Sequence, residues 1–334
     1  MNIESVFEKI KIRYFWMFFT ERCNLSCKYC FYRYRDEKTT LSFQKIKELI
    51  DFLDPYLQTT EFVISGGEPL LEWETTKKII KYIRKKFENY LLLQSNGILM
   101  RRSIVNFLRK YRVNVEVGFD GMLPSFKKRG VDENKYLKLL KNLELLKEAG
   151  VGLSSTLTVH PEESGKLFKN YFYSLRYIPI IEITPAAFEN WEERSVKEFK
   201  KEYLKCVKYS VEKKINSSLS TVYDRPVKGM FMDIVPLADG NVMTNWALSG
   251  VPREKREKYA IFSISNGFEV YFKRILHFLK IYRKLFEQRV ITYRDFSLVH
   301  VELIYRLSNL PGFKGYRELC NFLKNTNSII RGKK

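Results

Sequence analysis

The sequence predicts an α/β fold of six parallel β/α units followed by a mainly helical C-terminal extension. Three observations lead there. From residue 14 onward, short apolar runs of strand length alternate with segments whose apolar residues repeat at helical spacing, the pattern of parallel β/α architecture. Six such units fall between residues 14 and 185. Each motif that stands out follows directly on a strand-like run, which is where parallel barrels carry their sites. At 334 residues the chain is long enough for one large domain or a domain with an appendage. We expect the barrel over 1–190 and the extension over 191–334.

The aromatic run from Tyr14 to Phe19 reads as the first strand and leads into a cysteine-rich loop. Phe43, Ile46, Leu49, Ile50 and Leu53 then repeat at helical spacing, with Ser42 placed to cap them. Glu61–Ser65 is a short buried strand. A helix over about 73–88, a strand over 90–95 and a helix over about 101–110 follow. Next come a strand over 113–119 and a helix over about 133–149, stopped by Gly150 as helix C-termini commonly are. A strand over 151–159, a helix over about 163–176 and a strand over 178–184 complete the six units. A helix over about 190–214 leads out of them.

Cys23, Cys27 and Cys30 form a C-x3-C-x2-C stretch. A 4Fe–4S cluster has four irons and takes one ligand on each. Three cysteines leave one iron open to something other than the protein. The alternatives are a zinc site, which usually takes four ligands, or three unrelated core cysteines; no second cysteine pair is present. Gly66-Gly67-Glu68-Pro69 follows the second strand. Two glycines allow close backbone approach because no Cβ intervenes, and the same residues also suit a plain turn. Ser95-Asn96-Gly97 closes the third strand, and Asn-Gly is a strong turn signal anywhere. Val117-Gly118-Phe119-Asp120-Gly121 closes the fourth, with Arg129 a little downstream in the run Lys127-Lys128-Arg129.

Taken together these residues resemble the radical S-adenosylmethionine (SAM) enzymes, in which the C-x3-C-x2-C is likewise followed by an aromatic, here Phe31. The resemblance implies a partial (β/α)6 radical SAM barrel, with one 4Fe–4S cluster on Cys23, Cys27 and Cys30 and SAM completing the fourth iron. It further implies that Gly66, Gly67 and Glu68 receive the SAM amino group. Ser95 and Asn96 would lie near the nucleoside, and the backbone at Tyr29 would meet the adenine. Asp120 matches the Asp-Gly strand end of the peptide-modifying members, and Arg129 falls close to their arginine for the SAM carboxylate. Gly118 stands where those members have a serine, so that contact does not carry over. The implied chemistry is reductive cleavage of SAM to a 5′-deoxyadenosyl radical that takes hydrogen from a substrate carbon. No catalytic side chain is assigned.

The stretch from Pro236 to Asn245 resembles the hairpin of the SPASM and twitch extensions, which carry auxiliary clusters. Asn245 stands in place of the cysteine, and Cys206 and Cys320 are isolated. We therefore expect a related extension without auxiliary clusters. The cysteine loop and Asp-Gly strand end look most like the branch that modifies peptides and proteins, with sulfatase maturases among its members. A peptide or protein substrate is thus expected, with a reductant such as flavodoxin or ferredoxin. A small metabolite or RNA nucleotide is the alternative substrate, and a non-catalytic iron–sulfur or zinc scaffold the alternative class.

The net charge of +21 allows an anionic partner. Frequent Lys, Ile, Phe and Tyr point instead to a compositional bias, and no RNP or zinc-finger pattern supports a nucleic-acid module. Residues 251–334 hold 18 Lys plus Arg against 7 Asp plus Glu. Within them Phe268 to Arg289 reads as a basic amphipathic helix, either packing on the barrel or helping to bind an acidic substrate. Five cysteines with three clustered do not form a disulfide framework. With no signal-peptide pattern and no long apolar run, a cytoplasmic location and no membrane span are expected. His160 is the one histidine placed near a strand end that could face the site, and a structural role is the simpler reading. Glu182 and Thr184 lie on the last strand, where alternation alone does not tell which face turns inward.

Overall fold

The computed structural model describes residues 11–215, 231–264, 267, 269–271, 273–275, 280 and 293–332. Strands and helices alternate as β1 (Lys11–Phe18), α1 (Phe43–Leu53), β2 (Glu61–Ser65), α2 (Trp73–Lys86), β3 (Leu91–Ser95), α3 (Arg102–Lys110), β4 (Asn114–Gly118), α4 (Glu133–Glu148), β5 (Leu153–Val159), α5 (Leu167–Ser174) and β6 (Ile180–Pro185). The six strands are parallel and lie side by side in chain order. Side chains from all six line one cavity, so the sheet curls into an open barrel.

The pleat explains the two faces. On β5 the burial alternates strictly, with Leu153, Ser155, Leu157 and Val159 buried and Ser154, Thr156 and Thr158 less so. On β4, Val115 and Val117 are buried, while Glu116 and Gly118 turn to the cavity. The apolar rows pack under the surrounding helices and the polar rows look inward, as a period of two requires. Helix α1 begins as its sequence implies, with the Ser42 side chain accepting from the Lys45 N–H. Helix α4 runs into Gly150, which takes a φ of 67°. The expected helix over 163–176 divides, with a 3-10 segment at Pro161–Lys166 and α5 proper only from Leu167. Pro161 suits that first turn because it lacks an N–H to be satisfied.

The C-terminal region shares the barrel's sheet. After α6 (Glu193–Glu212), β7 (Phe231–Pro236) pairs in parallel with β1 on the side away from β2. The strands β8 (Asn241–Met243), β9 (Phe262–Ser263) and β10 (Glu269–Val270) continue it antiparallel. The β7–β8 hairpin lies where the Pro236–Asn245 motif places it, turning at Gly240 with a φ of 87°. Helices α7 (Tyr293–Leu307) and α8 (Phe313–Gly332) close one side of the cavity through Leu298, Val301 and Tyr316. The basic helix expected over Phe268 to Arg289 does not begin where the sequence places it, because Glu269–Val270 instead pair as β10 with β9; residues 273–275 and 280 are helical, and the rest of the stretch apart from Tyr271 lies outside the described residues. Among the described residues no helix is long and apolar enough to cross a membrane.

One buried charge network joins the two regions. Glu21, ahead of the first cysteine, and Arg256 are both fully inaccessible, and Arg256 Nη1 donates to Glu21 Oε1 at 2.5 Å. The same nitrogen donates to Asp239 Oδ2 of the hairpin turn at 2.9 Å. Arg253 Nη1 and the Tyr32 hydroxyl also donate to Glu21, at 2.9 and 3.0 Å. Removing one member of such a network strands a desolvated charge. Arg256→Met is therefore expected to lower unfolding free energy by roughly 3–5 kcal/mol, read from the shift of a urea transition. A loss below about 1 kcal/mol would show that the network is dispensable.

Candidate active site

The cysteine loop runs from Phe19 to Leu41 without a helix or strand of its own. Its position is set by contacts made with other strand ends. At the base, Leu41 N donates to Phe19 O at 2.7 Å and Glu21 N to Thr39 O at 3.0 Å. Gly67 N donates to Thr20 O and Glu68 N to Arg22 O, both at 2.7 Å. A Cβ on Gly67 would lie 2.1 Å from the Arg22 carbonyl oxygen, and one on Gly66 would lie 2.5 Å from that of Thr20. The paired glycines let the β2 end lie directly on the backbone leading into Cys23. Asn96 Nδ2 donates to Asn24 Oδ1 at 2.7 Å, and Lys28 N to Lys128 O at 2.9 Å. The loop is thus tied to the ends of β2 and β3 and to the turn that carries Arg129.

Glu68 is fully buried and its carboxylate is committed to the chain itself. It accepts from Leu70 N at 3.0 Å, Ser95 Oγ at 2.9 Å and Asn96 N at 2.8 Å. Burial raises its pKa, with those donors opposing. Glu68 therefore fixes the β3 end, while Gly66, Gly67, Ser95 and Asn96 face the cavity. Acceptors for a ligand here would come from the backbone rather than from this carboxylate.

Asp120 is a second hub. Arg129 donates to it from Nε and Nη2, each at 2.8 Å. Thr158 N donates at 3.1 Å, and the Tyr29 hydroxyl also donates to it. The Arg129 guanidinium stacks 5.5 Å from the Tyr29 ring centroid, so the Tyr29 side chain has a definite anchoring role. Burial disfavours the charge on Arg129, but the Asp120 carboxylate outweighs it and holds the pKa above its ordinary value. The substitution of glycine for serine at 118 now has a steric reason, because a Cβ there would lie 2.4 Å from Arg129 Nη1. The nitrogen that Asp120 does not use therefore occupies space beside Gly118, at the cavity.

All three cysteine side chains line this cavity, which has a volume of about 280 Å³. Burial pushes the Cys27 thiol up to about 11, with Arg129 opposing and Cys30 and Cys23 adding to it; burial likewise raises Cys23. Arg35 Nη1 donates to Cys30 Sγ at 3.5 Å while its Nη2 holds Leu25 O at 2.7 Å. Among the described residues, no three acidic, thiol or imidazole groups are gathered closely enough to hold a metal ion. The donors nevertheless fit a 4Fe–4S cluster in kind: soft thiolates, three in number, on one wall. Metal binding must displace their protons.

The remaining candidates sort by their contacts. Glu182 and Thr184 do face the cavity. His160 does not: its Nδ1 accepts from Glu162 N at 3.3 Å, and its Nε2 lies 3.3 Å from Glu189 Oε2. Asn245 is buried, caps the following 3-10 turn by accepting from Ala247 N at 3.0 Å, and donates to Ser297 Oγ at 3.2 Å. Cys206 is a core residue of α6, whereas Cys320 is buried yet reaches the cavity wall. Sequence reasoning missed Gln94, Glu116, Thr156 and Thr158 on that wall. For β4 and β5 the signal was available: parallel barrel strands are normally apolar throughout, and these two carry Asn114 and Glu116, and Ser154, Thr156 and Thr158, at every second position.

The site is thus an open parallel barrel with three thiols at one strand end and glycine and arginine contacts around them. Residues 17–172 match the model of the Radical SAM superfamily, so the barrel is similar to a radical SAM domain. The antilisterial bacteriocin subtilosin biosynthesis protein AlbA of Bacillus subtilis is 29% identical over 148 residues, covering 42% of this chain and 32% of that protein. A GTP 3′,8-cyclase of Streptomyces coelicolor is 27% identical over 136 residues, covering 40% of each. The solved structure of native anSMEcpe with bound AdoMet and Cp18Cys peptide aligns with a TM-score of 0.62 at 18% identity, covering 79% of this chain and 80% of that one. The match spans half or less of the curated relatives' length. The family implies SAM and a 4Fe–4S cluster as cofactors.

Gly67→Ala tests whether the seam between the β2 end and the cysteine loop sets the site. The variant is expected to fold but to retain less than half the iron of the unaltered protein after anaerobic reconstitution, with circular dichroism as the control. Unchanged iron content would show that the loop holds its position without this contact.

Proposed function

We propose that the chain is a radical SAM enzyme acting on a side chain of a peptide or protein. The observation that carries this reading is the convergence of Cys23, Cys27 and Cys30, the Gly66-Gly67 backbone and Arg129 on a single cavity. The three thiolates would hold one 4Fe–4S cluster. When bound, cluster and SAM supply hydrogen-atom abstraction from carbon by a 5′-deoxyadenosyl radical.

The chain's own residues bind, orient and shield. Backbone acceptors at Gly66 and Gly67 suit the SAM amino group. The free Nη1 of Arg129, kept charged by Asp120, suits its carboxylate, for which a planar guanidinium is better shaped than an ammonium. Ser95 and Asn96, which line the cavity, are assigned to the nucleoside, and the Tyr29 backbone to the adenine. Trp16, Phe18 and Trp246 on the wall, with α7 and α8 beyond, exclude water and solvent hydrogen donors from the substrate.

A peptide substrate is supported by AlbA and by the peptide-bound fold relative. The GTP 3′,8-cyclase relatives raise a nucleotide instead. Glu116 and Glu182 on the cavity wall would repel a triphosphate, and for that reason the peptide is preferred. An electron donor such as flavodoxin or ferredoxin is required by the chemistry.

Reconstituted anaerobically and given dithionite and SAM, with and without candidate peptides, the protein is expected to form 5′-deoxyadenosine, and Cys27→Ala to form none. Equal product from Cys27→Ala would contradict the ligand assignment. Arg129→Lys is expected to raise the Kd for SAM by roughly tenfold or more, since a point charge replaces a fork and leaves Asp120 half-served. A Kd within about twofold of the unaltered value, read by equilibrium dialysis, would remove Arg129 from the SAM site.

A further inference from the structure

The inner row of the barrel presents a carboxylate that none of the SAM contacts uses. Glu116 on β4 accepts from Gln94 Nε2 at 2.8 Å, and Gln94 in turn accepts from Ser65 Oγ at 2.8 Å. The Thr156 side chain is its other partner. Both of these partners are neutral. Among the described residues, the cationic side chains on the cavity wall are Arg35 and Arg129, and the contacts above engage them at the thiol end. Withdrawal from solvent raises the Glu116 pKa, against the two hydrogen bonds. A carboxylate accepts about four hydrogen bonds, and two protein side chains supply donors here.

Two further features point to an occupant. Trp16 lines the same cavity and is only 5% exposed, and among the described residues its buried indole N–H has no acceptor. Such an orphaned donor is rare in a folded interior and calls for a ligand or water oxygen. Glu182, paired in register with Thr156 across β5 and β6, puts a second carboxylate on the wall. Carboxylates and aromatic faces together suit a cation.

We propose that Glu116, with Glu182 across Thr156 from it, forms a substrate subsite for a cationic nitrogen, so that the residue entering the barrel is a lysine, an arginine or another amine-bearing side chain. The proposal rests on the peptide reading given above and names the substrate class for that same cavity.

The test is a binding titration on the reconstituted protein, with and without SAM. The probes are N-acetyl-lysinamide, N-acetyl-argininamide, the neutral N-acetyl-norleucinamide and N-acetyl-glutamamide, read by quenching of tryptophan fluorescence and by calorimetry. At least one cationic probe is expected to bind roughly tenfold or more tightly than the norleucine probe, as a hydrogen bond to a charged group implies. Glu116→Gln keeps the side-chain shape and is expected to abolish that preference while norleucine binding persists; Glu116→Asp should restore part of it. Equal binding of lysine and norleucine probes, or no binding of any probe, overturns the subsite. So does a Glu116→Gln variant that weakens SAM and keeps the preference, which would give this carboxylate to SAM. Failure of the enzyme reading itself would look different: no SAM affinity and no 5′-deoxyadenosine, whatever the amine titration shows.

Discussion

A cluster-binding loop without secondary structure must take its shape from its surroundings. Here the constraint is the buried carboxylate of Glu21, which Tyr32 of the same loop and the sequence-distant Arg253 and Arg256 surround. An ion pair removed from water gives little net stability against an apolar replacement, but it is costly to break and specifies geometry. This one fixes where the chain enters the cysteine stretch relative to the hairpin at Asp239. The other ties are backbone contacts that only glycine permits at positions 66 and 67. Those two glycines thus serve the loop as well as the cavity wall they line.

The same logic runs along the cavity. Glu68 and Asp120 carry the chemistry expected of ligand contacts, yet both spend most of their hydrogen-bonding capacity on the protein. They act as positioning residues. Glu68 sets the end of β3, and Asp120 orients Arg129 so that one guanidinium nitrogen stays toward the cavity. What reaches the cavity is backbone, the thiols, that one nitrogen and the inner polar row of β3 to β6. This division suits radical chemistry, in which a few fixed contacts hold the reactants and the walls exclude competing hydrogen donors.

The six β/α units were legible because each strand is short and apolar on the helix-facing rows, and those after the first are bounded by Gly, Asn or Pro. Ser42 and Gly150 marked helix ends by side-chain capping and by left-handed backbone, both local effects that sequence records directly. The cysteine triad was legible from spacing. The arginine partners of Glu21 and the Asn96 partner of Asn24 were not, since they lie 72 to 235 positions away. Nor was the role of Gly118, whose missing side chain matters only because Arg129 folds back against it. The seventh parallel strand at Phe231–Pro236 was also hidden, because pairing with β1 is a long-range choice that a short apolar run does not announce.

The central claim is that three cysteines hold a cluster whose remaining iron is open to SAM. The most direct measurement is iron and zinc content after anaerobic reconstitution, followed by electron paramagnetic resonance of the reduced protein before and after SAM is added. About four irons per chain and a signal that changes shape with SAM are expected. Zinc in place of iron, about eight irons, or a cluster signal indifferent to SAM would contradict it.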